Sequence, residues 1–371
     1  MVKDRRNSHD VSCRGPVVPE LREVVEPFLI WFLLAVLLGI PPLCRWSSMG
    51  RMETCFLPSQ RQRAVPWSGL EILLAALSYF AIPAFMTALL YASGLFRVIY
   101  GIKRVDPEDH LMIARCSLWA IVASFPLQTT LILSIVARGS GTLPYQVGWT
   151  SHRAKDNVTL GYLAWVVAMP VILGFNILVE TVYHNLLELP PEPHVFQQLA
   201  QAGLSAAEWT LLALSAVVAA PVLEELLFRG LLQRYFGQRK WGGDLAMVLA
   251  LAFSVLMRQP GIVEAIGKND MHELTLELQP ALFVGLMLPV YLLLRSFCRS
   301  PRWPTIYGTG LLFAAVHSTA WPQPIPLFLL AIVLGWLAWR TQSLVGPIVL
   351  HGLFNSVAVF TLLIESLFPK G

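Results

Sequence analysis

Four polar side chains set in otherwise apolar stretches are the residues best equipped for chemistry: Glu224, His317, His351 and Asn355. Glu224 is followed directly by Glu225, late in an apolar run that begins near Trp209, and Arg229 stands four residues after the second carboxylate. Two carboxylates in such a run are costly unless each is compensated. Glu225 and Arg229, at i and i+4, share a helical face and can pair, which reads mainly as structural support. Glu224 points about 100° away from that pair and has no partner nearby in sequence. It must be met by another helix, and a carboxylate so placed is suited to act as a general base. Pro221, three residues earlier, frees a backbone carbonyl and can kink the helix.

Two further clusters complete the inventory. Phe313 and His317 share one helical face, and so do His351 and Asn355, while Gly352 allows a close approach of another backbone. Taken singly, each has a bland explanation. A lone His in an apolar helix is usually a packing residue, and a His–Asn pair can be a helix–helix polar contact of about 1 kcal/mol. Together, one base-like Glu, two His and one Asn resemble the parts of a hydrolytic centre. The same residue types admit a zinc reading, with Glu224, His317 and His351 as three ligands and an open fourth position. Asn355 argues against that alternative, being a better donor than ligand.

The elements that must position these side chains are membrane helices. The chain has 371 residues, 56% of them hydrophobic and 13% charged, whereas soluble domains carry close to a quarter charged residues. Its apolar residues come in runs of about twenty, the length that crosses a hydrocarbon core of roughly 30 Å. Ten such segments are expected, at about 27–44, 70–95, 117–137, 159–180, 209–235, 244–257, 280–297, 305–319, 325–340 and 345–367. All are read as helices, because an open sheet cannot satisfy its backbone in lipid. The fold class is therefore an all-α polytopic bundle of eight to ten spans, with 27–44 a retained span rather than a cleaved signal. The five cysteines lack metal-knuckle or disulfide spacing, the small net charge of +4 argues against a nucleic-acid partner, and no internal repeat is visible. The expected partner at this level is the lipid bilayer.

Lys and Arg concentrate in loops 138–158, 229–242 and 295–304 and are absent from 181–208 and 319–324, so the basic set should be cytoplasmic. Before residue 138 this alternation fails. It also sets His317 near the exterior end of its span and Glu224 and His351 nearer the cytoplasm, so convergence requires either a short or offset helix at 305–319 or a different loop assignment, and the motif geometry outweighs the charge count. The Pro-rich stretch 181–208, with an amphipathic piece from Val195 to Leu204, divides an N-terminal membrane region (1–200) from a motif-bearing region (201–371).

In order along the chain, EExxxR, FxxxH and HxxxN resemble the family of CAAX proteases and bacteriocin-processing enzymes known as CPBP or ABI. The flanks agree: Leu-Leu-Phe-Arg-Gly-Leu-Leu-Gln after the Glu pair, and GWLAWRTQSLVGPIVLH from Gly335 to His351. The resemblance covers roughly residues 205–360. It implies a metal-free glutamic endopeptidase embedded in a bacterial plasma membrane and acting on a peptide or lipidated protein substrate; zinc, from the alternative ligand set above, is the runner-up cofactor. By the same resemblance Glu224 activates a water, His317 helps to position it, and His351 and Asn355 stabilise the oxyanion. Glu225, Arg229 and Phe313 support the site. The interval from Arg229 to Phe313 exceeds the family's usual link, and an inserted helical hairpin at about 243–297 is expected to fill it. A non-catalytic scaffold or transporter is the alternative from a different class.

Overall fold

A computed structural model describes residues 65–102, 109–189, 192, 194–298 and 301–368. The expected span at 27–44 and Cys13, Cys44 and Cys55 lie outside the described residues. Among the described residues there is no strand, as expected of a chain whose backbone must be satisfied inside lipid by helices.

The N-terminal region contributes α1 (Gly69–Ala92), α2 (Leu95–Tyr100), α3 (His110–Ser140) and α4 (Ala154–Asn185). A short connector helix, α5 (Val195–Gln201), leads to α6 (Ala206–Gly237), which carries both glutamates. Then come α7 (Gly242–Leu256), α8 (Gln259–Lys268), α9 (Met271–Glu277) and α10 (Gln279–Phe297). The chain closes with α11 (Arg302–Ala315), α12 (Pro324–Thr341) and α13 (Val345–Leu367).

Seven of these helices, α1, α3, α4, α6, α10, α12 and α13, are long and apolar enough to cross a bilayer. The pair α7 and α8, bent by 55° at its break, makes an eighth if it is one span. With 14 residues, α11 reaches only about 21 Å at 1.5 Å per residue, short of the roughly 30 Å hydrocarbon core. A short helix is one of the two ways of reconciling the charge pattern with the motifs at the His317 segment. The expected hairpin at 243–297 is four helices, α7 to α10, rather than two.

The core gathers around α6. Of its apolar window 61% is buried, against 17% for α1 and for α10, whose Leu73, Leu77, Leu286 and Leu292 are left exposed as lipid-facing surface. Small residues set the tightest crossings. Gly308 of α11 lies against Ala246 and the Gly243 carbonyl of α7, and Gly161 of α4 against the Gly346 carbonyl of α13. A Cβ on Gly308 would stand 2.9 Å from both the Ala246 Cβ and the Gly243 oxygen. The helix bearing Phe313 is thus held by α7, a part of the 243–297 stretch.

Gly308→Val should therefore lower the melting temperature of the detergent-solubilised protein, at a cost of about 1–3 kcal/mol for overpacking. Gly285→Val, on α10 with no heavy atom within 4 Å of the added Cβ, should leave it unchanged. Equal melting temperatures for the two variants would contradict the close α7–α11 contact.

Candidate active site

The site begins with an irregularity in α6. The helix widens into π turns at Ser215–Ala219 and Glu225–Leu232, a feature frequent at functional positions. The Ala220 N–H donates back to the Ser215 carbonyl, and residue 221 is a proline with no N–H to give. The Ala216 carbonyl is left without its helical donor. Asn355 of α13 takes it up, its Nδ2 donating to the Ala216 oxygen at 2.7 Å. One turn earlier on α13, Gly352 meets the Val217 carbonyl, where a Cβ would come to 2.8 Å. The proline in the motif helix and the glycine beside His351 thus bring the two helices into register.

That contact delivers His351 to the glutamate pair. Glu225 is fully buried and Arg229 is 2% exposed. The Arg229 Nη1 donates to Glu225 Oε1 at 2.9 Å, and His351 Nδ1 lies 3.0 Å from the same oxygen. Glu225 Oε2 takes no hydrogen bond from a described residue. Arg229 also donates to the Ala331 carbonyl of α12 at 3.4 Å, and its guanidinium lies 4.4 Å from the Phe313 ring centroid, within cation–π range. Phe313 makes edge contacts with Phe228 and His351 and a tilted contact with His317, at ring centroids of 5.2, 5.8 and 4.8 Å. One aromatic ring therefore joins all three motifs.

Glu224 points away from this pair, as its position on the helix requires. It is 8% exposed, and its Oε2 stands 3.9 Å from His351 Nε2. A carboxylate oxygen facing His351 Nδ1 makes that nitrogen the N–H, so a neutral ring would turn its Nε2 lone pair toward Glu224. An imidazolium would turn an N–H toward it. His317 sits just past the end of α11, its Nδ1 2.7 Å from the Phe313 carbonyl, which again assigns the N–H to Nδ1 and leaves Nε2 as the free position. The structure brings Glu224, Glu225, Arg229, Phe313, His351 and Asn355 together, with His317 joined to them through the Phe313 ring. Among the described residues, no group of three His, Cys, Asp or Glu side chains is placed to hold a metal ion.

Two neighbours were not legible in the sequence. Tyr79 of α1 donates its hydroxyl to Glu224 Oε1 at 3.3 Å. It lies in a plain apolar span with no motif around it. His194, at the N-terminus of α5, belongs to the connector; burial, and then the charge of neighbouring His317, hold its imidazole down at about 4. The loop is fastened beside it. Glu192 pairs with both terminal nitrogens of Arg258 at 2.6 and 2.7 Å and exchanges two hydrogen bonds with the Trp321 backbone.

Comparison with known proteins gives one match. A family model described as Type II CAAX prenyl endopeptidase Rce1-like matches residues 206–291 and 280–357, ranges that contain every motif position named above and run through α7 to α10. No curated protein and no solved structure matches the chain.

Removing Arg229 should expose how much depends on the buried pair. Arg229→Met leaves Glu225 enclosed without its guanidinium, a change expected to cost about 3–5 kcal/mol. The double variant Arg229→Met with Glu225→Gln should recover a large part of that loss in a thermal-melt assay. A single variant as stable as wild type would show that the carboxylate is not held as described.

Proposed function

We propose, from the match of residues 206–357 to the type II CAAX prenyl endopeptidase family, that this multi-pass membrane protein is an endopeptidase that cleaves within or beside the bilayer without a metal. Glu224 takes a proton from a water molecule, and the resulting hydroxide attacks the scissile carbonyl. The C–O bond forms as the carbonyl π electrons move onto oxygen. When that oxyanion collapses, the C–N bond breaks and the proton held by Glu224 passes to the leaving nitrogen. His317, through its free Nε2, helps to orient the water. The oxyanion is met by His351 Nε2–H and by the second N–H of the Asn355 amide, whose first is taken by Ala216.

The observation that carries this reading is the 3.9 Å approach of Glu224 Oε2 to His351 Nε2 in a cluster nearly closed to solvent. Two carboxylates against one guanidinium leave that cluster one positive charge short of neutral. His351, lying between Glu225 and Glu224, is the side chain suited to supply it as an imidazolium, which is the form that donates to an oxyanion. A water-poor surrounding strengthens each of these interactions. The words CAAX prenyl endopeptidase in the family description support a substrate that is a peptide or protein ending in a prenylated cysteine motif.

The test uses the full-length protein in lipid nanodiscs with labelled peptides carrying a C-terminal CAAX sequence, prenylated and unprenylated. Wild type should cleave the prenylated peptide preferentially, and Glu224→Gln should lose activity by about 10²–10⁴-fold, the range expected when a general base is removed. Cleavage should survive a strong chelator. Loss of activity on chelation, restored by zinc, would move the case to a metalloenzyme, and no cleavage by well-folded wild type would favour a scaffold or transporter.

A further inference from the structure

Tyr79 brings the N-terminal region into the site. Its helix, α1, runs antiparallel to the motif end of α6: Trp67, just before α1, donates its indole N–H to the Leu231 carbonyl at 3.3 Å, while Tyr79 reaches Glu224. Trp67 is 1% exposed, and Leu231 lies in the π turn, so the first of these contacts anchors the start of α1 against the motif helix.

The position of Tyr79 is fixed a second time, through its backbone. Four residues after it in α1 stands Pro83, which has no N–H to return to the Tyr79 carbonyl. Gln128 of α3, 1% exposed, supplies the missing donor, its Nε2 reaching the Tyr79 oxygen at 2.8 Å, and the Ser124 hydroxyl donates to the Gln128 amide oxygen at 3.5 Å. A buried side-chain amide is thus used to clamp the backbone of one tyrosine whose hydroxyl meets the candidate base. Pro83 would require that clamp whatever residue stood at 79; its consequence here is that the backbone carrying the Tyr79 hydroxyl to Glu224 is held in place.

We infer that Tyr79 is a positioning residue for Glu224: its hydroxyl donates to Oε1, fixes the carboxylate's rotation, and leaves Oε2 directed at His351. The inference deepens the endopeptidase reading and rests on it for its kinetic consequence. The groups facing Glu224 are then Tyr79 from α1 and His351 from α13, while the charges of Glu225 and Arg229 lie on the other side of its own helix. The N-terminal region would on this account be a working part of the site, since a truncated chain beginning after residue 200 would lack the donor to Oε1.

The experiment has two arms, both on the full chain in nanodiscs. In the kinetic arm, Tyr79→Phe should lower kcat by about tenfold to a hundredfold with KM within twofold, as loss of a hydrogen bond to a charged group would. Leu73→Ala, at an exposed position earlier in α1, should change neither. In the spectroscopic arm, the ultraviolet resonance Raman tyrosine doublet, isolated as wild type minus Tyr79→Phe, should indicate a donating hydroxyl and should shift in Glu224→Ala. A doublet indifferent to Glu224→Ala would overturn the hydrogen bond, and an unchanged kcat in Tyr79→Phe would overturn the positioning role. The spectroscopic arm needs no turnover, so an inactive wild type would sink the endopeptidase reading while still deciding whether Tyr79 holds Glu224.

Discussion

A carboxylate with no solvent exposure, in a protein that also has lipid around it, is the constraint from which the rest of the site follows. Glu225 cannot stay there alone, because an uncompensated charge at that depth would cost several kcal/mol. Arg229 answers it from one turn along α6 and His351 from α13. Arg229 in turn needs surroundings of its own, and finds them in the Ala331 carbonyl of α12 and the face of Phe313 on α11. Four helices are thereby committed to one another by a single buried charge. Glu224, next in sequence and turned aside by the helical step, is what this framework presents to the open side of His351.

Proline supplies the second organising principle. Pro221 helps to leave the Ala216 carbonyl of α6 unclaimed, and Pro83 leaves the Tyr79 carbonyl of α1 unclaimed. In a medium that offers no water, each must find another donor, and in both cases it is a side-chain amide from a neighbouring helix, Asn355 or Gln128. The prolines therefore act less as kinks than as specific sockets. They specify which helix packs where, and the one at Pro83 fixes the residue whose hydroxyl meets Glu224.

How much of this was legible in the sequence depended on distance along the chain. The Glu225–Arg229 pair was readable because helical periodicity alone brings i and i+4 together, and Gly352 because a glycine beside a polar pair signals close backbone approach. The short α11 was only half legible: charge alternation conflicted with the motif order, and a short helix at His317 was one of two ways to reconcile them. Hydropathy located the spans but not their ends: α3 begins at His110, seven residues before the apolar run, because Asp109 caps it through the Met112 N–H, and polar first turns are invisible to an apolar window. Tyr79 and His194 were not legible. Their roles rest on contacts with residues more than a hundred positions away, and no local pattern distinguishes that tyrosine from an ordinary interfacial or core ring. For the same reason the stretch 243–297 read as a peripheral hairpin, although Gly243 and Gly308 bring α7 against the helix of Phe313, and Arg258 holds the connector beside His194.

The account stands on Glu224 acting through water rather than attacking the peptide itself. Single-turnover cleavage in H₂¹⁸O, with hydroxylamine present as a trap, tests that most directly by mass spectrometry of the product. Direct hydrolysis predicts one ¹⁸O atom in the new carboxylate and no hydroxamate at any trap concentration. A hydroxamate-tagged product would reveal an acyl intermediate on the protein and contradict the role assigned to Glu224.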